Sequence, residues 1–330
     1  MKMLKGALAL LFVAAAAGGA FAFARHDPAP PADNGVAPVP SVAQVVARPA
    51  PQKVEAKAPA DEKTDLDRAT LLDLRRTAKK AGAPDAKAVA ERLERIARAN
   101  LQEAEAAKEK GDDKGERIAL SRAFFATPDR QTRNALRPRL DELSQRLFFN
   151  TKNPEDIYTV QKGDVLVKIA RSHKVAWSYV KRLNGLKTDA IRIGQKLRIP
   201  KGTLELTVFK ADFLLILTID GVYAKAWDVG TGREDRTPET TFSIHERVSE
   251  PTWYAPDGKV YPFGEKENIL GTRWLGFEKT VDYAGFGIHG TAFPETIGTE
   301  SSAGCIRMRN EDVEEVYDLV SEGTQVTIVR

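Results

Sequence analysis

The apolar positions between residues 64 and 149 follow the period of amphipathic helices. They recur at steps of three and four at Val89, Leu93, Ile96, Ala97, Leu101 and Ala104, and again at Leu136, Leu140, Leu143 and Leu147. This spacing buries one face of a helix. Pro84 and Gly111 suit the two ends of the second helix, and a third helix over 116–125 ends before Thr127-Pro128. We expect four helices in antiparallel hairpins that act as a structural spacer rather than a partner-binding surface.

Residues 157–200 follow the order strand, helix, helix, strand. The first strand, at 157–160, meets a turn at Lys162-Gly163, and Asp164 is expected to cap the first helix. The second helix ends at Asn184-Gly185, and residues 191–199 return as a strand. The apolar positions of the helices are Leu166, Ile169 and Ala170, then Trp177, Val180 and Leu183. Their spacing predicts a small βααβ module.

From residue 203 the pattern is that of short strands. Apolar runs at 204–209, 213–219 and 222–227 are strand-like, and Asp220-Gly221 is a strong hairpin signal. Asn310 is expected to cap a helix that ends at Leu319, before a last strand at 325–329. Many strands with little helix predict a mainly-β sandwich or barrel. The chain is therefore predicted to be multidomain, with an α-helical hairpin region at 64–149, the βααβ module at 157–200 and the mainly-β domain at 203–330.

The first 24 residues have the pattern of a secretory signal peptide. Lys2 and Lys5 precede an apolar run at 8–17, and Ala22-Phe23-Ala24 matches a cleavage site. We expect an exported protein. A retained membrane anchor is the alternative, because the apolar run approaches the length of a short span. Residues 25–63, rich in Pro and Ala, are expected to form a disordered linker.

The charge balance argues against nucleic acid as a partner. The chain has 50 Lys and Arg against 46 Asp and Glu, a net charge of +4. Removing residues 1–24 takes away two lysines and leaves +2, which provides no basic footprint. His26, His173 and His245 stand apart from one another and from acidic or Cys partners at metal-ligand spacing. We therefore expect no metal and no cofactor.

Cys305 is the only cysteine in the chain. In an exported protein a single thiol indicates an intermolecular disulfide or a reactive group, while an inert buried Cys is the ordinary alternative. His289 lies upstream between glycines that permit close approach, and an adjacent imidazole can lower the pKa of a thiol and produce the thiolate. Gly304 frees the backbone amides to face an oxyanion, and the fork of Arg307 suits a carboxylate. Cys and His on neighbouring strands also occur by chance, so composition leaves catalysis open.

Aromatic and hydroxyl residues near this stretch are candidates for substrate contacts. Tyr283 and Phe286 lie close to His289 and are groove candidates, with core packing as the alternative. Ser301 and Ser302 add hydroxyls that orient groups or bind substrate. Trp253-Tyr254 is a further candidate for the wall of a groove.

Residues 157–200 resemble the LysM module. The resemblance rests on Y-T-V-x-x-G-D-x-L, on the central Asn184 and on the closing G-Q-x-L-x-I-P. LysM modules bind glycans that contain N-acetylglucosamine, so the resemblance implies attachment to peptidoglycan, with Gly163, Asp164 and Asn184 in the glycan-binding module. A small core without a ligand is the alternative reading, because Trp177 and Tyr179 suit a core as well.

Residues 204–330 resemble the L,D-transpeptidase catalytic domain of the YkuD family. The motifs are T-P-E-T-T-F-S-I, N-I-L-G-T-R-W-L-G-F, G-I-H-G-T and S-x-G-C-I-R-M. The resemblance implies that Cys305 is the nucleophile and His289 the general base. It further implies that the Gly290 carbonyl orients the imidazole, that the Gly304 and Cys305 amides form the oxyanion hole, and that Ser302 and Arg307 occupy the other characteristic positions.

The resemblance implies a peptidoglycan cross-linking enzyme in the periplasm or cell wall of a bacterium. Cys305 would attack a stem tetrapeptide, release D-Ala and pass the acyl group to an amine of another stem, and carbapenem-type inhibitors would acylate the thiol. An L,D-carboxypeptidase that uses water and a non-catalytic wall-binding protein are the alternatives. One departure is Ala303, where the family usually has His, so specificity is expected to differ.

Overall fold

The computed structural model describes residues 64–79, 85–149, 157–173 and 175–330. The predicted signal peptide at 1–24, the predicted linker at 25–63, and both His26 and Pro84 lie outside these ranges. Of the helices in the described part of the chain, none combines the length and the hydropathy needed to cross a membrane.

Among residues 64–149 that the structure describes, four helices precede the βααβ module, as the sequence predicted. They are α1 (Arg68–Lys79), α2 (Ala86–Glu109), α3 (Asp113–Ala126) and α4 (Arg130–Ser144), and a π-helical turn (Gln145–Phe149) follows. Gly111, at φ +70°, ends α2 and allows the short turn into α3. The side chain of Asp112 then accepts a hydrogen bond from the Gly115 amide at 3.0 Å and so caps α3.

The helical region is not a spacer, because its apolar face forms one core with the β-sheet of the C-terminal domain. The ring of Phe124 lies 6.3 Å from that of Phe209 and 5.1 Å from that of Tyr223, both of which belong to the sheet. The shared cluster also includes Leu71, Leu93, Ile96, Leu120, Phe125, Leu136, Leu140, Leu214 and Ile216. Spacing within one helix cannot reveal what its apolar face packs against, which is why the sequence missed this contact.

Buried polar groups also tie the helices to the sheet. Arg133 of α4 pairs with Asp212, and these side chains are 0% and 9% exposed. Arg68 of α1 pairs with Glu205 at 2.6 Å. The Tyr223 hydroxyl donates to Asp141 at 2.8 Å. A buried charge without its partner is costly, so these pairs fix how the helices sit on the sheet.

The module at 157–200 has the predicted order of elements. It consists of β1 (Ile157–Thr159), α5 (Leu166–Ser172), α6 (Trp177–Leu183) and β2 (Lys196–Arg198), with β1 and β2 antiparallel. The predicted strand at 191–199 is wrong in length, since only Lys196–Arg198 pair with β1. The predicted cap is also wrong: Asp164 does not cap α5 but accepts hydrogen bonds from Gln161 N at 2.7 Å and from the Tyr158 hydroxyl at 2.8 Å.

The βααβ module is docked on the C-terminal domain. Its buried residues, including Val160, Ile169 and Tyr179, belong to the same apolar cluster as residues of the sheet and of the last helix. Ser178 donates to the carbonyl oxygen of Asp318 at 3.1 Å. Module and domain therefore share a continuous packed interface.

The C-terminal domain is mainly β, as predicted. Its strands are β3 Leu204–Phe209, β4 Leu214–Ile219, β5 Val222–Asp228, β6 Thr231–Gly232, β7 Thr241–Ser249, β8 Trp253–Tyr254, β9 Val260–Tyr261, β10 Arg273–Phe277, β11 Gly287–His289, β12 Glu300–Ser302, β13 Ile306–Arg307 and β14 Gln325–Val329. Eight of these strands form the main sheet, in the order β13-β11-β10-β7-β14-β3-β4-β5. Asp220 and Gly221, both at positive φ, form the predicted hairpin turn between β4 and β5.

The last helix, α7 (Asn310–Leu319), begins where the sequence predicted, but Asn310 does not cap it. Its side-chain oxygen instead accepts hydrogen bonds from the amides of Thr272 and Thr291, each at 3.2 Å. Asn310 therefore joins two loops that lie beside the site described next.

Candidate active site

Two neighbouring parallel strands bring the predicted nucleophile and base to one groove. β11 pairs with β13 so that Ile288 faces Ile306 and His289 faces Arg307, and Cys305 directly precedes β13. The groove has a volume of about 670 Å³. His289, Ser302, Ala303, Cys305 and Arg307 line it together with Glu246, Val248, Glu250, Trp253, Tyr254, Leu270, Trp274 and Gly285.

The imidazole of His289 is buried and held in one orientation. Its side chain is 2% exposed, and Nδ1 lies 2.6 Å from the carbonyl oxygen of Gly290. Because a carbonyl can only accept, Nδ1 carries the proton and Nε2 of the neutral ring is left as the acceptor. Burial lowers the pKa of His289 to about 4, opposed by the Gly290 contact and reinforced by Arg307. At neutral pH the imidazole is thus a neutral base.

The loop that orients His289 is fixed by Asn310. Its side-chain oxygen contacts the Thr291 amide directly after Gly290, and a Cβ atom on Gly290 or Gly271 would collide with it. Only glycine permits this close approach. The position of the Gly290 carbonyl therefore depends on a side chain of α7.

The thiol of Cys305 is half-buried and faces backbone groups. Its Sγ lies 3.7 Å from the carbonyl oxygen of Gly285. Burial raises the pKa of Cys305, opposed by a backbone hydrogen bond from Gly287 and by the charge of Arg307. The shifts of Cys305 and His289 both favour the uncharged forms, and the imidazole is not among the groups that lower the pKa of the thiol.

The turn before Cys305 is closed by the hydroxyl of Ser302. Ser302 Oγ donates to the carbonyl oxygen of Cys305 at 2.6 Å and accepts from the amide of Gly304 at 3.0 Å. The predicted oxyanion role of the Gly304 amide is therefore corrected, because that N–H is already used. The amide of Cys305 has no hydrogen-bond acceptor among the residues that the structure describes.

Gly304 is required by the local geometry of this turn. It has φ +138°, and a Cβ atom there would lie 2.6 Å from Cε1 of Phe286. A side chain at this position would be strained and would displace the ring. The glycine therefore shapes the backbone that presents Cys305.

Arg307 is one of the residues that line the groove, and its charge acts on the thiol of Cys305. It is half-buried, and its Nη1 is 3.4 Å from the hydroxyl of Ser301. Burial lowers the pKa of Arg307, opposed by Cys305. Ser301 does not line the groove and contacts it only through Arg307. Arg307 is thus the cation available to an anionic substrate group.

Tyr283 and Phe286, predicted to contact substrate, do not line the groove. Both pack against Phe242, with ring distances of 5.9 Å and 6.4 Å, so their role as substrate contacts is corrected to core packing. Trp253 and Tyr254, the weaker candidates, do line the groove. Sequence reasoning missed Glu246 and Glu250, for which no local motif gave a signal. It assigned no role in the groove to Trp274, although this residue lies in the motif N-I-L-G-T-R-W-L-G-F.

The predicted glycan-binding residues of the βααβ module are engaged in internal contacts. Gly163 adopts φ +89° in the turn, and Asp164 holds that turn through the contacts already described. The side chain of Asn184 donates to Val180 O at 2.8 Å and to Arg198 O at 2.7 Å, and it accepts from Arg198 N at 2.7 Å. Asn184 therefore holds the second strand of the module against its second helix, and glycan binding by this module stays a prediction.

Comparison with known families matches the two C-terminal units. The model of the YkuD family, described as the L,D-transpeptidase catalytic domain, matches residues 204–328. The LysM domain model matches residues 158–200.

Similar proteins carry the same family name. The chain is 37% identical over 132 residues to a putative L,D-transpeptidase YqjB of Bacillus subtilis, covering 39% of this chain and 68% of that protein. It is 30% identical over 180 residues to the putative L,D-transpeptidase YkuD of the same organism, covering 52% of this chain and 98% of that protein. A solved L,D-transpeptidase structure from Mycobacterium smegmatis aligns over 42% of this chain and 65% of that one, at 16% identity and a TM-score of 0.33.

Proposed function

Because the chain belongs to the L,D-transpeptidase family, we propose that it is a peptidoglycan L,D-transpeptidase with Cys305 as nucleophile and His289 as general base. The observation that carries the proposal is the meeting of His289 and Cys305 at one groove on two paired strands. Nε2 of the neutral imidazole is left to accept a proton, since Nδ1 is held by Gly290. The lone thiol of the chain then has a chemical role.

In the first half-reaction the Cys305 sulfur attacks the carbonyl carbon of the third residue of a stem tetrapeptide. The thiol proton passes to Nε2 of His289 as the S–C bond forms, and the oxyanion of the tetrahedral intermediate accepts a hydrogen bond from the Cys305 amide. Collapse breaks the C–N bond, and the imidazolium returns the proton to the departing amine of D-Ala. A thioester remains on Cys305.

In the second half-reaction an amine of another stem attacks the thioester carbonyl. His289 takes a proton from the amine, the C–S bond breaks, and the sulfur leaves with that proton as the thiol. The product is a 3-3 cross-link, and the enzyme returns to its starting state without a cofactor. Arg307, the guanidinium in the groove, is placed to bind a carboxylate of the substrate.

The uncharged forms of Cys305 and His289 determine when the proton is transferred in this mechanism. With the pKa of Cys305 raised and that of His289 lowered to about 4, the thiolate is not stored before substrate binds. Proton transfer must accompany attack, so the rate depends on how a bound substrate aligns sulfur, Nε2 and carbonyl.

The LysM module would bind glycan strands and raise the local concentration of stems at the groove. This role places the protein in the periplasm or cell wall, with peptidoglycan as its partner, and is supported by the LysM match. Carbapenem-type inhibitors are expected to acylate Cys305. Intact-protein mass spectrometry after carbapenem treatment tests this, and an unmodified mass would count against it.

Two alternatives differ from the transpeptidase, one in the acceptor of the acyl group and the other in having no need for the thiol. An L,D-carboxypeptidase would pass the acyl group to water, and a wall-binding protein would need no Cys305 chemistry. Incubation of the chain without residues 1–24, beside its Cys305→Ala variant, with a disaccharide-tetrapeptide distinguishes them by mass spectrometry. Cys305-dependent loss of D-Ala with dimer supports the transpeptidase, loss without dimer supports the carboxypeptidase, and no Cys305-dependent change contradicts both.

Ala303 is the position at which substrate preference is expected to depart from the family. It is exposed and lines the groove, and its methyl group offers no hydrogen bond. Ala303→His is expected to change KM or kcat for stem peptides, and identical constants would show that this position does not tune specificity.

A further inference from the structure

Trp274 lies across the strand pair that carries His289. It faces His289 in the register of β10 and β11, and the two ring centroids are 5.9 Å apart with planes inclined by 32°. Both residues line the groove. The indole is therefore the large apolar group beside one face of the imidazole.

Two paired glycines provide the seat for this indole. Gly276 and Gly287 are the next cross-strand pair on the same face of the sheet. A Cβ atom on Gly276 would lie 2.7 Å from Nε1 of Trp274, and one on Gly287 would lie 2.8 Å from Cη2. The indole thus occupies space that side chains at positions 276 and 287 would otherwise fill.

Glu246 on β7 holds the polar edge of the same ring. Nε1 of Trp274 donates to Oε1 of Glu246 at 2.7 Å, and Glu246 stands opposite Gly276 in the strand register. A hydrogen bond to a carboxylate is stronger than one between neutral groups. It defines the direction in which the indole lies over the glycines.

We propose that Trp274, seated on Gly276 and Gly287 and tied to Glu246, is a positioning residue that covers the imidazole of His289 and keeps water from it. The inference rests on the proposed function only in taking His289 as the base. Desolvation is the main cause of the lowered pKa of His289, so the cover keeps the base neutral. The indole acts through His289 and takes no part in bond making.

Among the described residues, the charged and titratable groups near His289 are few, and each can be named. Arg307 on β13 lowers the pKa of His289, and Cys305 is uncharged at neutral pH. Glu246 and Glu250 line the groove from the β7 side, and Asn310 of α7 is uncharged. The neighbouring Arg273 lies over Tyr317, with its guanidinium 5.4 Å from that ring. Removing the indole leaves these charges in place, so a changed titration reports access of water.

The test is an NMR titration of the four histidines of the full chain, with His289 assigned by its absence in His289→Gln. In the native protein His289 is expected not to titrate between about pH 5 and pH 8. In Trp274→Ala its pKa is expected to rise by about one to two pH units, because water reaches the ring. Trp253→Ala, which removes another groove indole stacked on Tyr261, is the matched control and should not shift His289.

Further variants keep the test decisive if Trp274→Ala fails to fold. Gly276→Ala adds a Cβ whose nearest neighbours are side-chain atoms of Trp274 and Glu246. It is expected to displace the indole and to raise the pKa of His289 as Trp274→Ala does, while Glu246→Gln retains an acceptor oxygen and should leave that pKa unchanged. An identical His289 titration in native protein, Trp274→Ala and Gly276→Ala would overturn the inference, as would an equal shift in Trp253→Ala. The titration needs no turnover, so an inactive protein with the expected shifts would contradict the proposed function and retain this inference.

Discussion

The two halves of the eight-stranded sheet are held by different interactions. β3, β4 and β5 lie under the helical layer and share a large apolar core with it. β10, β11 and β13 are short strands that contribute to a second apolar cluster, and the groove beside them depends in addition on close glycine contacts and on the side chain of Asn310. Both halves therefore have an apolar core, but only the second half adds the close contacts that set the geometry of the groove.

Removing the helical layer is the strongest way to test this comparison. A chain that begins at residue 150 uncovers the apolar face that includes Phe209, Leu214 and Tyr223 and leaves Asp212 without Arg133. We expect it to aggregate or to lose cooperative unfolding, because an apolar patch of that kind is not stable in water. Size-exclusion chromatography and thermal unfolding beside a chain that begins at residue 64 measure the effect. Equal behaviour of the two chains would contradict the shared core.

A single substitution in the same half should lower stability and spare chemistry. Phe124 is fully buried between α3 and the sheet, so Phe124→Ala is expected to cost about 3–5 kcal/mol of unfolding free energy. Activity per folded molecule should stay unchanged, since the ring lies in a different cluster from the groove. Denaturant unfolding with Phe263→Ala, an exposed phenylalanine, as control provides the measurement. A loss of turnover in fully folded Phe124→Ala would show that the core under the helices and the groove depend on each other.

In the half of the sheet that carries the groove, the buried imidazole of His289 should make the free energy of unfolding depend on pH. The unfolded chain protonates His289 near pH 6.5, whereas the folded chain binds that proton only near pH 4. Stability should therefore fall by about 3 kcal/mol as the pH drops through this window. Urea unfolding across the range should show that loss in the native chain and in His245→Gln, but not in His289→Gln. The same loss in His289→Gln would assign it to another group.

The smallest expected stability effect is at Asn310. Asn310→Ala leaves the Thr272 and Thr291 amides without their acceptor and should cost about 1–3 kcal/mol. Because the Gly290 carbonyl shifts with the loop, kcat/KM should fall on the order of tenfold to a hundredfold. Asn310→Asp keeps an acceptor oxygen and should retain most of the activity. Native kinetics in Asn310→Ala would show that the hydrogen bonds of Asn310 do not position His289.

Local pattern in the sequence was enough for the elements that the chain builds from neighbouring residues. The period of the four helices, the strands β3 to β5 and the Asp220-Gly221 hairpin are set by short stretches and were predicted from them. The contacts that the structure adds are non-local. Glu246 and Trp274 are 28 residues apart and meet only through the register of β7 and β10.

The wrong predictions have the same origin. Asp164 and Asn310 are of the residue types that cap helices, yet each satisfies backbone amides elsewhere, in the Gln161 turn and in two distant loops. Tyr283 and Phe286 are close to His289 in sequence but turn towards Phe242. Residue type predicts what a side chain can donate or accept, while the tertiary fold decides which partner it meets.

The docking of the βααβ module on α7 and the sheet has a geometric consequence. A module on a flexible tether would let the groove reach a wide area of wall, whereas here the module packs directly on the domain and Ser178 donates to the carbonyl oxygen of Asp318. If the module holds a glycan strand as proposed, it works as a ruler: only stems that project at the matching point along the strand come within reach of Cys305. The distance between the module and Cys305 would then set the spacing of the cross-links.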